Sequence, residues 1–191
     1  MTTRGKQMRH SNILDRDRAV LLVIDYQQKL LAAFKKPDEF LANCVTMIRF
    51  AKILKLPIVW TEQYPKGLGP TTDMIKTELA GLEPIEKLSF SCFGEPAFVN
   101  ALTKIPSDQL MVCGIETHIC VEQTVLDGIE NGYQMQVVSD ACGSRKKHDH
   151  KMGLRKMEAT GAVLTSSEMA MYEIMGGSDA GEFREVLKLV K

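Results

Sequence analysis

Three residues of chemically useful type stand at suggestive places. Asp25 ends the apolar run AVLLVI, Lys87 lies in the mixed stretch PIEKLSF, and Cys120 lies in GIETHICVEQT, just after a second apolar run. A thiol can add to a carbonyl, and a neighbouring carboxylate can take its proton. Thr117 is of the right type for an N-cap, which puts Cys120 in the first turn of the helix that follows. There the unpaired backbone N–H groups and the helix dipole favour an anion, so a lowered thiol pKa is expected. Each residue also has an ordinary role. Free Cys packs as a small apolar residue, Asp after a strand caps the next helix, and most Lys are solvated. Taken one at a time, the three positions leave both readings open.

The elements that must position them follow from hydrophobic spacing. AVLLVID (19–25) is a continuous apolar run, the mark of a strand buried on both faces of a parallel sheet. Residues 38–54 carry apolar side chains at Phe40, Leu41, Val45, Ile48 and Ala51, which is helical spacing. Further strands are predicted over 56–62, 84–90, 109–115, 133–141 and from 162. Further helices are predicted over 71–81, closed by Gly81, and over 95–105, 117–132, 150–161, through 176 with Ser166 or Ser167 as cap, and 180–190. Strand and helix alternate throughout, which predicts an α/β fold: a mostly parallel sheet with helices on both faces. Asp25 and Cys120 then both fall at C-terminal strand ends, the edge where open α/β sheets bind ligands. The Gly- and Pro-rich loop EQYPKGLGPTT (62–72) joins them there.

Composition narrows the function. The 191 residues suit a single domain, 1–191, with 1–18 as an N-terminal extension. Acidic and basic residues balance at 24 each, so nothing points to nucleic acid or to an anionic membrane surface. The longest apolar run is far short of the roughly 20 residues of a bilayer span. The basic N-terminus MTTRGKQMRH leads into no apolar signal core. Five Cys, an odd number with no CxxC spacing, read as free thiols in a reducing compartment, and the expected location is the cytoplasm.

Together the segments resemble the isochorismatase-like cysteine hydrolase superfamily, its isochorismatase-domain-containing branch in particular, over essentially the whole chain. LLVIDYQ (21–27) is similar to the family's strand ending in a catalytic Asp. EKLSFSCF (86–93) is similar to the segment carrying its catalytic Lys. GIETHICV (114–121) resembles its Gly-x-x-Thr-x-x-Cys nucleophile motif, and VVSDACGS (137–144) the segment that closes its pocket. The resemblance implies a Rossmann-like three-layer sandwich and a Cys–Asp–Lys triad. Cys120 would be the nucleophile, Asp25 the proton carrier, and Lys87 the group that holds both. The backbone N–H groups of Glu116 and Cys120 would form the oxyanion hole, arranged by a cis bond between Ile115 and Glu116. The same resemblance implies a homo-oligomer, a dimer or tetramer. The Met-rich stretch SSEMAMYEIMGG (166–177) agrees with this, since Met is enriched at interfaces.

Two departures refine the expectation. Metal-using members of the family carry His residues after the second strand, and WTEQYPKGLGP (60–70) has none. His148 and His150 form an H-x-H pair, but in a charged stretch that reads as a solvated helix start. No metal and no cofactor are therefore expected. Isochorismatase itself lacks the Cys, so Cys120 argues against isochorismate. The expected activity is metal-independent hydrolysis of a C–N bond in a small amide or ureido substrate. Tyr64, Lys66, Phe90, Phe93 and Arg145 are candidates to line the pocket, Lys66 or Arg145 pairing with a substrate carboxylate. The alternatives are a silent interaction module that keeps the fold, and a nuclease of the kind proposed for some relatives.

Overall fold

The run Ala19–Ile24 forms β1, and all six residues are buried. Side chains alternate across a strand. Ala19, Leu21 and Val23 therefore enter one core, and Val20, Leu22 and Ile24 the other. This is why the run shows no polar alternation. The structure, a computed structural model, describes residues 9–190. Residues 1–8 of the expected N-terminal extension, and the basic stretch they carry, lie outside the described residues. Within the remainder of that extension, Leu14 is fully buried in the first core.

After β1 come a single turn α1 (Gln28–Leu31), α2 (Asp38–Leu54), β2 (Ile58–Gln63), a single turn α3 (Pro65–Leu68), α4 (Asp73–Glu78) and β3 (Ile85–Lys87). A 3-10 turn at Cys92–Gly94 leads to α5 (Pro96–Leu102) and β4 (Gln109–Ile115). A π-helical turn, Thr117–Val121, then runs straight into α6 (Glu122–Glu130). The chain ends with β5 (Gln134–Gly143), α7 (Lys147–Ala159), β6 (Val163–Thr165), α8 (Ser167–Met175) and α9 (Phe183–Val186). The six strands lie in the order β3-β2-β1-β4-β5-β6 and every pairing is parallel. Helices α2, α4, α8 and α9 cover one face, and α5, α6 and α7 the other. This is the expected α/β architecture. The strand order reverses between β1 and β4, and the crevice of a doubly wound sheet opens at that point.

The largest departures from expectation have physical causes. The helix expected over 95–105 stops at Leu102, and Pro106 disfavours helical backbone at Ile105. Helix α7 begins at Lys147, three residues early, because its solvated charged start has no apolar period to betray it. The last helix shrinks from 180–190 to one turn. Ser166 caps α8, its hydroxyl accepting from the Met169 N–H at 3.3 Å. In the Met-rich stretch, Ala170, Met171 and Ile174 point into the chain's own core, while Met169 and Tyr172 stay exposed.

Candidate active site

Asp25 sits one residue past β1 with φ +58°, a left-handed conformation that Asp tolerates better than most side chains. That turn carries its carboxylate across the end of β2. The Thr61 hydroxyl donates to Oδ1 at 2.7 Å, and Lys87 Nζ stands 2.7 Å from Oδ2. Both side chains of this ion pair have zero exposure. Lys87 also donates to Gln63 Oε1 at 2.7 Å and to the carbonyls of Ser89 and Phe90 at 3.2 and 3.0 Å. The ion pair with Asp25 Oδ2 adds to these bonds, so the ammonium is held from several sides. Gln63 is in turn fixed by Gln27, which accepts from the Gln63 N–H at 2.7 Å and donates to its carbonyl at 2.9 Å.

Cys120 reaches this pair from the opposite side of the reversal point. Gly114, near the end of β4, lies so close to β1 that a Cβ there would come within 2.7 Å of Ile24 Cβ and 2.9 Å of Val121 Cγ2. Only Gly lets the turn after β4 sit against β1. The turn itself is held by the Glu116 carbonyl, which accepts from the N–H groups of Ile119 and Val121 at 3.0 and 3.3 Å. The bond between Ile115 and Glu116 is cis, and the Glu116 N–H has no backbone acceptor among the described residues. Thr117 is not the cap that was expected. Its hydroxyl shares a hydrogen bond with His150 Nδ1 at 2.9 Å, and Glu116 occupies the cap position.

The expected lowering of the Cys120 pKa is overturned. Burial pushes the thiol well above its ordinary value, and the Asp25 charge adds to the rise. Lys87 only partly offsets them. A helix N-terminus typically contributes 0.3–1 kcal/mol, which burial of a thiolate beside a carboxylate outweighs. At rest Cys120 is therefore a thiol whose proton faces Asp25. For Lys87 burial acts to lower the pKa, but Asp25, then Cys120 and Cys92, outweigh it and hold the ammonium above its ordinary value.

Cys92 is a partner that composition could not single out. Its Sγ lies 4.0 Å from Thr61 Oγ1, and its N–H donates to Thr124 Oγ1 at 3.0 Å, one helical turn beyond Cys120. Burial pushes both Cys92 and Cys142 up to about 12. A folded pKa raised above the unfolded value favours the fold fully below the unfolded pKa, near 8.5, and progressively less as pH rises towards the folded one. Stability should thus fall above about pH 8.5, by about 1.4 kcal/mol per pH unit for each such thiol. Urea unfolding between about pH 8 and pH 10 measures this, and a flat profile would contradict it.

The five pocket candidates separate. Tyr64 is exposed, its backbone N–H donating to the Lys87 carbonyl at 2.9 Å and its ring lying over Gly67. Phe90 is exposed beside Lys87, whose ammonium its carbonyl accepts. Lys66 is exposed on α3. Arg145 meets Glu116, donating its backbone N–H to Oε2 at 2.9 Å and placing Nη1 3.5 Å from Oε1. Phe93 does not face the site. It packs against Phe98 and against Tyr133, which immediately precedes β5 at the opposite edge of the sheet. His148 is exposed while His150 turns inward to Thr117, so the H-x-H pair diverges. Among the described residues no three His, Cys, Asp or Glu side chains converge on a metal position.

The chain's relatives share this architecture. Residues 19–169 match the family described as Isochorismatase domain. Isochorismatase domain-containing protein 2 of Homo sapiens is 36% identical over 174 residues, covering 91% of this chain and 83% of that protein. Among solved structures, MAR1 ribonuclease from Caenorhabditis elegans superposes with a TM-score of 0.86 at 38% identity, covering 93% of this chain and 91% of that one. YcaC from Pseudomonas aeruginosa, solved with hexane-2,5-diol and covalent acrylamide, superposes with a TM-score of 0.87 at 26% identity, covering 95% and 93%.

Proposed function

The chain belongs to the isochorismatase family, and from that premise we propose that it is a metal-independent cysteine hydrolase of small amides or ureido compounds. The observation that carries the reading is the fully buried Lys87–Asp25 pair at 2.7 Å, with the Cys120 thiol beside the same carboxylate. In the proposed course Cys120 Sγ bonds to the substrate carbonyl carbon while its proton passes to Asp25 Oδ2. The oxyanion so formed accepts from the N–H groups of Glu116 and Cys120. As the C–N bond breaks, Asp25 returns the proton to the leaving amine or ammonia, and a thioester remains. Water then gives its proton to Asp25 as it adds to the thioester carbon, and as the C–S bond breaks Asp25 returns that proton to Cys120 Sγ, freeing the acid and the thiol. Lys87 holds the carboxylate charged without itself donating to substrate.

Acrylamide tests the reading without a known substrate, because it adds to a thiol and is itself a small amide. Intact-mass analysis and peptide mapping should find one adduct, on Cys120, formed faster as pH rises. An adduct on Cys44, Cys92, Cys113 or Cys142 instead would remove Cys120 as nucleophile. Ammonia release from a panel of amides, ureido acids and carbamoyl compounds then sorts the substrate. The rival reading, ribonuclease action, is favoured by the description of the C. elegans relative. Against it, Lys87 has no exposed side-chain surface from which to meet a phosphodiester. Cleavage of single-stranded RNA that survives Cys120→Ala would speak for an RNase that does not use this thiol.

The same reading includes a homo-oligomer, a dimer or tetramer. Met169 and Tyr172 on α8 are 53% and 41% exposed and offer apolar contact. Light scattering at micromolar concentration should give a multiple of the chain mass, and a monomer mass would overturn it.

A further inference from the structure

A cavity of about 510 Å3 opens at the C-terminal edge of the sheet, beyond the Cys120 turn, between the starts of α2 and α7 and the end of β5. Its wall is aromatic. Phe34 and Phe40 stand with ring centroids 5.3 Å apart, and Phe40 lies so close on Gly143 that a Cβ there would come within 2.8 Å of Phe40 Cε1. Its mouth is cationic, carrying Lys35, Lys36, Arg145 and Lys147 against the carboxylates of Glu39 and Asp140. Asp140 is already engaged, accepting from the Ser167 N–H at 2.8 Å and its hydroxyl at 2.6 Å. Lys35, Lys36 and Lys147 have no ion-pair partner among the described residues. In a chain whose formal charges cancel, this is a local excess of positive charge. The starts of α2 and α7 have no side-chain cap, and Asp38, Glu39 and Asp149 in their first turns offset the positive helix ends, so the lysines and Arg145 carry the charge.

We infer that this cavity binds a small organic anion with an apolar body: a carboxylate or phosphate group carried on an aromatic or branched aliphatic skeleton. The skeleton lies against Phe34 and Phe40, and the anion meets the lysines and Arg145. None of Asp25, Lys87 and Cys120 lines the cavity, so the assignment does not depend on the proposed triad, although Arg145 and part of the segment 137–144, expected at the substrate pocket, line this cavity. The two places are neighbours through two contacts. Gly143 pairs with Ile115, and Arg145 is bonded through its backbone and held near through its guanidinium to Glu116. An anion that draws on the Arg145 guanidinium competes with the Glu116 carboxylate for it.

The test is calorimetric titration of the full chain with benzoate, phenyl phosphate and neutral benzyl alcohol. Binding of at least one anion in the range of about 1 mM or tighter is expected, at least about tenfold tighter than the alcohol. The tighter of the two anions identifies the headgroup. The Lys36→Gln/Arg145→Gln double variant should bind it at least about tenfold more weakly, and Lys35→Gln/Lys147→Gln should weaken it in the same direction. Both pairs are at the exposed mouth, so folding is not at stake. Cys120→Ala should bind it unchanged, which separates this pocket from the thiol site. Absence of binding by both anions, equal binding of the alcohol, indifference to the charge variants, or loss of binding in Cys120→Ala would each overturn the inference.

Discussion

Cys120→Ala should lower turnover of whatever amide or ureido substrate the panel identifies by a factor of about 10⁴ or more, with the fold intact. The size follows from the role. A nucleophile that forms the covalent intermediate has no substitute, and the oxyanion donors and binding contacts that remain give only residual catalysis. Cys120→Ser should be nearly as inactive, because Asp25 would then have to take a proton from a far weaker acid. The side chain is small and only 5% exposed, so either change should leave thermal unfolding within a few degrees of the parent. A variant that keeps a tenth of the parent turnover would mean that chemistry runs elsewhere, and Cys92, in the same polar cluster, would be the next thiol to replace.

Lys87→Met should cost about 3–5 kcal/mol of stability, because it leaves the Asp25 carboxylate buried without its counter-charge. For a chain of this length that is a fall in Tm of roughly 10 °C. The thiol at 120 should lose its acrylamide reactivity as well, since the carboxylate that takes its proton is no longer held charged. Two effects can be told apart by the double variant Asp25→Asn/Lys87→Met. Removing both charges should return most of the lost stability and none of the reactivity. If the single variant were as stable as the parent, the pair would be solvated in solution and the geometry described above would not hold.

Asp25 and Cys120 were legible in the sequence because each follows a continuous apolar run, and such runs end at the ligand-binding edge of a parallel sheet. Lys87 was legible only through resemblance, since its strand has three residues and no pattern of its own. Helix α2 was found to the residue, because a helix wholly supported by packing carries an unbroken 3.6 period. Thr61 and Gln63 escaped notice for the opposite reason. Polar residues at a strand's end look like its exit to solvent, and nothing local says that Thr61 meets Asp25 and Gln63 meets Lys87. The acidity of Cys120 was misjudged because the helix-end effect is visible in a sequence whereas burial beside a carboxylate is not. The cationic cavity was invisible because Lys35 and Lys36 meet Arg145 and Lys147 only after the sheet has been assembled, more than a hundred positions apart.

The backbone at Asp25 bears on how the proposed chemistry could be lost over time. At φ +58° the position suits Gly, Asn or Asp far better than any other residue. A lineage that abandons hydrolysis but keeps the fold is therefore steered to Asn or Gly at 25. Either change strands a buried ammonium at 87, which burial tolerates poorly without a partner. The two positions should drift as a couple, with an apolar residue entering at 87 whenever the carboxylate leaves 25. Homologous chains that show this paired exchange are expected to be the non-catalytic ones, recognisable from two letters of sequence before any assay.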